Sequence, residues 1–137
     1  MSSILLIGTD TALLEGLAQS LVTAGHQPQV AGSLAEAADL AARETPLITI
    51  ADRTLLADDS AAAMGIPRLA GGALVLYRKV GDAEVTLAPA LQRSVLAELT
   101  LPLERMRLLA LVQSVEGRAF ATGRAARRHT PQPPSPH

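Results

Sequence analysis

Thr45-Pro46-Leu47-Ile48-Thr49-Ile50-Ala51-Asp52-Arg53-Thr54-Leu55-Leu56 begins as an apolar run and passes into polar residues. Leu47, Ile48, Thr49 and Ile50 are strand-compatible, bounded by Pro46 on one side and by Asp52 and Arg53 on the other. An apolar run of this length, without polar alternation, is the pattern of a strand buried on both faces, as in a parallel sheet. In open parallel sheets the functional crevice lies outside the carboxyl ends of the strands. Ala51, Asp52 and Arg53 therefore stand where a site is expected.

Working outward, Ile4-Leu5-Leu6-Ile7 is a second such run, and it ends at Gly8-Thr9-Asp10, a turn that leads into a helical pattern. Leu13, Leu14, Leu17, Ala18 and Leu21 recur at helical spacing, with Gly25 just past the last of them as a C-terminal stop. A short strand is expected over 29–31. Ser33-Leu34-Ala35-Glu36 then fits a capping box, which opens a helix to about Arg43 with a mostly alanine apolar face. Beyond the central strand, Asp58-Asp59-Ser60 starts one short helix through Met64, stopped by Gly65 and Pro67. Gly71-Gly72 introduces a fourth strand over 73–77.

Residues 78–95 admit two readings: a hairpin turning at Gly81-Asp82, or a loop followed by a brief helix between Pro89 and Arg93. A fifth strand is expected over 96–100. Leu101-Pro102-Leu103 leads into a last helix whose apolar side is expected to carry Met106, Leu108, Leu109, Leu111, Val112 and Val115. After Gly117 the periodicity fades, so 1–119 is expected to be the domain and 120–137 a basic, Pro-rich tail or linker. Strands alternating with helices five times predict an α/β fold, a doubly wound five-stranded parallel sheet.

A chain of 137 residues suffices for one domain with a real core. It contains no cysteine, which excludes a disulfide framework, a thiolate metal site and a cysteine nucleophile. Of the three histidines, His129 and His137 lie in the tail and only His26, expected on the surface, lies in the body; no histidine metal site is expected. The net charge of -1 hides an asymmetry. Four of the 12 Lys and Arg lie at or beyond Arg118 with no acid beside them, so the body is acidic and the tail basic. One tyrosine, one phenylalanine and no tryptophan leave almost nothing to stack on bases, which argues against nucleic-acid binding by the body. No apolar run approaches the roughly 18 residues of a membrane span. The first residues enter a strand without a basic segment, and a soluble cytoplasmic protein is expected.

This order of parts resembles the receiver domain of two-component response regulators, over residues 3–117. The resemblance implies a flavodoxin-like, five-stranded fold, here with an unusually short third helix and an irregular fourth helical region. It also implies a site. The family's acidic cluster after the first strand falls on Gly8, Thr9 and Asp10. Its phosphate-accepting aspartate falls, without gaps, on Ala51, with Asp52 as the alternative one residue on. The switch hydroxyl at the end of the fourth strand falls on Tyr77, and the lysine before a proline after the fifth falls on Leu101.

Each departure removes part of the chemistry. Magnesium held by the acidic cluster neutralises charge between phosphoryl group and acceptor, and lysine adds to that stabilisation. Lys79, the sole lysine, stands after the fourth strand. The resemblance is thus to a degenerate receiver, a pseudo-receiver, with no catalytic residue, metal or cofactor expected. Its function is then non-catalytic signalling through a protein partner or a homodimer, with Glu98, Arg105 and Arg107 as the expected contact face.

Two alternatives stand beside that reading: a phosphorylatable receiver using Asp52, and a small α/β nucleotide-binding protein or enzyme with its pocket at Gly8 to Asp10. Plainer roles are also open to the same residues. Asp10, Asp58 and Asp59 suit helix capping, Tyr77 a partly buried wall, and Asp52 a strand-end carboxylate paired with Arg53.

Overall fold

The computed structural model describes residues 3–129, and of 120–129 the helical backbone alone. Five strands form one all-parallel sheet: β1 (Ser3–Ile7), β2 (Gln27–Ala31), β3 (Ile48–Asp52), β4 (Ala73–Lys79) and β5 (Val95–Leu101), in the order β2-β1-β3-β4-β5. All five residues of β3 are buried. That strand lies between β1, with Ile7 opposite Ala51, and β4, with Asp52 opposite Tyr77. Its central place explains why its sequence is apolar without alternation: both faces are covered.

Two cores result, divided by the period of two along each strand. On one face Ile4, Leu6, Ile48, Ile50, Val75, Tyr77 and Leu99 pack beneath α1 (Thr11–Thr23) and α6 (Arg105–His129), which contribute Leu14, Leu17, Leu21, Leu108, Val112 and Val115. The other face carries Leu5, Ile7, Ala51, Leu74 and Leu76 beneath α2 (Leu34–Arg43), whose Ala37 and Ala41 allow close approach to the sheet. Three short helices complete that layer: α3 (Arg53–Asp58), α4 (Ser60–Met64) and α5 (Pro89–Ser94). The serine half of the predicted capping box forms, Ser33 accepting from the Glu36 amide, while the Glu36 carboxylate reaches one residue further back and accepts the Gly32 amide.

Local differences from the sequence reading have identifiable causes. Helix α3 starts directly at the end of β3 because the Asp52 carboxylate accepts the Thr54 amide as its N-cap, so two short helices stand where one was expected. Residues 78–95 follow the loop-and-helix reading, since Gly81 at φ 89° turns the chain and Pro89 supplies a pre-set first turn for α5. Helix α6 crosses the expected boundary at 119 and reaches His129. Each of the two internal glycines, Gly117 and Gly123, costs a helix only about 1 kcal/mol, and Arg118, Ala119, Ala121, Arg124, Ala125 and Ala126 are good helix formers. The proline-rich residues from 130 onward lie outside the described residues, as do the side chains of Arg124, Arg127 and Arg128.

Candidate functional site

The strand order reverses between β1 and β3, and the carboxyl ends of β1, β3 and β4 meet there in an acidic mouth. Each charged group is placed by a local backbone need. Asp10 caps α1, accepting the Leu13 amide at 3.1 Å. Asp52 caps α3, accepting the Thr54 amide at 2.9 Å. Asp82, in the turn after β4, accepts the Lys79 amide at 2.9 Å. Lys79 then reaches back across the mouth, with Nζ 3.5 Å from Asp10 Oδ2.

Tyr77 fills the space between these groups. It is fully buried, and its hydroxyl has no hydrogen-bond partner among the described residues. A Cβ at Gly8 would overlap the Tyr77 hydroxyl oxygen, so the ring is accommodated because residue 8 has no side chain. Burial raises the tyrosine hydroxyl well above its ordinary pKa, and the charges of Asp52, Asp10 and Asp82 add to the shift, so the phenol stays neutral. The expected partly buried wall residue is therefore an interior plug.

The two residues aligned with the acceptor position face opposite ways. Ala51 points into the apolar face with Ile7, Leu56 and Leu91, and the residue that reaches the mouth is Asp52. Without a bulge in β3, consecutive residues face opposite sides, and the polar side at this strand end belongs to Asp52. Asp52 as a whole is 5% exposed. Burial raises its pKa above the ordinary 3.8 and the Asp82 charge adds to this, while the Thr54 amide and Lys79 act in the opposite direction.

A pH test follows. Because the folded-state pKa is raised, the ionised form is the costly one; the penalty is complete above that pKa and is relieved as pH falls through it toward 3.8. Asp52→Asn keeps a capping side chain and removes the charge. We expect the variant to melt higher than wild type near neutral pH and the advantage to be lost by about pH 3–4 in thermal melts across the range.

The remaining predicted residues are not brought to this mouth as active groups. Thr9 is exposed, its carbonyl accepting the Thr11 amide. Leu101, in the lysine position, is 1% exposed and packs in the core with Leu108 and Val112. Arg53 does not pair with Asp52: its guanidinium bonds Glu98 at 2.6 Å and the Val85 carbonyl at 2.9 Å. Glu98 is thus engaged within the chain, and Arg107 bonds Glu104 at 2.8 Å, while Arg105 is exposed. Asp59 caps α4, as expected. His26 lies not on the surface but beside the middle of α6, 6% exposed, with Nδ1 3.1 Å from Glu116 Oε2.

Sequence reasoning missed Lys79 and Asp82 as neighbours of Asp10 and Asp52. Nothing in the spacing could reveal them, because β4 and its turn bring them in from far along the chain. Among the described residues no group of three or more Asp, Glu, His or Cys is placed to hold a metal ion. With glycine at position 8 and the tyrosine ring beside it, the mouth does not fit the magnesium that an active receiver holds.

No protein-family model matches the sequence, and a search of curated proteins gives no match. The fold is a different matter. It is similar to NtrX from Brucella abortus solved with ADP, at 16% identity and a TM-score of 0.68, covering 92% of this chain and 28% of that one. The signal receiver domain of a Luxo repressor protein from Vibrio parahaemolyticus is 20% identical with a TM-score of 0.67, covering 90% of this chain and 96% of that one. A response regulator receiver domain protein from Clostridium thermocellum superposes with a TM-score of 0.64 at 16% identity, over 89% and 99% of the two chains. This chain thus spans little more than a quarter of the NtrX protein and nearly the whole of the isolated receiver domains. The five-stranded parallel sheet and its helices are the flavodoxin-like fold of response-regulator receiver domains.

Proposed function

We propose that this protein is a non-catalytic, receiver-like signalling module of the cytoplasm that acts by contact with a protein partner or a second copy of itself, without aspartyl phosphorylation. The observation that carries this reading is the Tyr77 side chain packed over Gly8 in the mouth where a phosphoryl group and its metal would need room. Phosphoryl transfer depends on positive groups arranged around developing negative charge. Here the sole lysine is paired with Asp10, and three carboxylates surround the opening. The contact face we assign is the start of α6, where Leu103 and Met106 are each 76% exposed beside Arg105 and Arg107. Exposed apolar side chains rimmed by charge are the common composition of a docking surface.

Incubation with acetyl phosphate and magnesium tests the reading. Intact-mass spectrometry should show no phosphoryl increment, and sedimentation velocity should give the same association state with and without the reagent. A stoichiometric adduct on Asp52 would establish the phosphorylatable alternative, for which the one supporting observation is that Asp52 does reach the mouth.

A further inference from the structure

On the opposite side of the sheet from the acidic mouth lies a cavity of about 140 Å³, walled by Ile7, Leu56, Leu74 and Leu91. Its cover is thin. Helix α4 is a single turn of Ser60-Ala61-Ala62-Ala63-Met64 that buries none of its residues, and of these Ala63 and Met64 line the space. The sheet contributes one polar group to the lining, Thr49 of β3, which is 3% exposed and whose hydroxyl has no hydrogen-bond partner among the described residues. Arg68 also lines the space, is exposed, and makes no ion pair among the described residues.

An unpaired hydroxyl in an apolar interior is costly, and an isosteric valine would remove that cost. A cavity of this size accommodates a single ring, since an engineered apolar cavity of about 150 Å³ binds benzene. We infer that this cavity is a binding site for a single-ring aromatic carboxylate bearing a hydroxyl, its ring against the leucines, its hydroxyl on Thr49 and its carboxylate on Arg68. The inference is independent of the reading of the acidic mouth, which lies on the other face.

Titration of the full chain with 4-hydroxybenzoate, benzoate and benzene, followed by amide chemical shifts and calorimetry, tests it. Saturable binding of 4-hydroxybenzoate is expected, with benzoate weaker by about three- to tenfold for loss of one hydrogen bond. Thr49→Val should abolish the difference between the two acids while leaving the melting temperature equal or higher. Arg68→Gln, a surface change that does not threaten folding, should weaken both acids by about threefold or more and leave benzene unaffected. Absence of saturable binding by either acid, or binding unchanged by both variants, overturns the inference. Benzene binding as tightly as 4-hydroxybenzoate overturns it too, and marks the cavity as a packing gap.

Discussion

Gly8→Ala lowers the stability of the folded chain by about 1–3 kcal/mol in urea denaturation, and most of that loss disappears when Tyr77→Phe is present in the same chain. The new methyl group would overlap the Tyr77 hydroxyl oxygen, whereas the next nearest atoms, Leu14 Cδ1 and Tyr77 Cζ, stand at 3.3 Å, a distance that slight adjustment relieves. The ring has nowhere to swing, because Tyr77 is fully enclosed beneath α1 and α6. Tyr77→Phe alone breaks no hydrogen bond, since the hydroxyl makes none among the described residues. The two changes are therefore coupled by about 1 kcal/mol or more, far above the deviation expected of independent sites. Equal cost of Gly8→Ala in both backgrounds would show that the tyrosine does not plug the mouth, and the proposed loss of phosphorylation would lose its main support.

A larger effect is expected at the start of β4. Gly72→Ala should cost about 3 kcal/mol or more, because a Cβ there would overlap the Leu47 carbonyl oxygen and come within 2.9 Å of the Leu69 carbonyl oxygen. Both obstacles are backbone, and neither can rotate away. The Leu47 carbonyl accepts the Ala73 amide that begins the pairing of β3 with β4, and the Leu69 carbonyl accepts the Gly72 amide itself. Relief of the clash would therefore open the sheet where β3 and β4 begin to pair. Gly71→Ala provides the control: that residue has open space around it but a φ of 80°, so its cost is the left-handed penalty of about 1–2 kcal/mol alone. Chevron or equilibrium urea curves for the two variants separate a steric requirement from a conformational one at adjacent positions.

These neighbouring glycines also mark how far local sequence reaches. Gly71-Gly72 announces a strand start, and either residue could be the one that turns the chain. Only the packed sheet shows that Gly71 turns it and that Gly72 yields room to Leu47. The same division holds at the site. Asp10 before a periodic apolar run reads as a cap and is one, because capping is settled within four residues. Arg53 beside Asp52 reads as its partner and is not, because Glu98 and Val85, distant in the chain, lie closer to its guanidinium. Helix α6 passes 119 because helix propensity beyond Gly117 does not depend on a buried face.

The α/β alternation, the parallel sheet and its buried central strand are legible along the chain, since continuous apolar runs, helical periodicity and caps are local or short-range signals. The receiver resemblance named the positions at the strand ends: Gly8, Thr9, Asp10, Ala51 with Asp52 as the alternative, Tyr77 and Leu101. Which of them share a space was decided by tertiary structure alone. Strand register turns Asp52 toward the mouth and Ala51 into the apolar core, and places Tyr77 beside Gly8. The β4 turn returns Lys79 to Asp10. A one-residue change of register reverses every side chain of a strand, and long-range contacts of this kind leave no periodic trace in the chain that makes them.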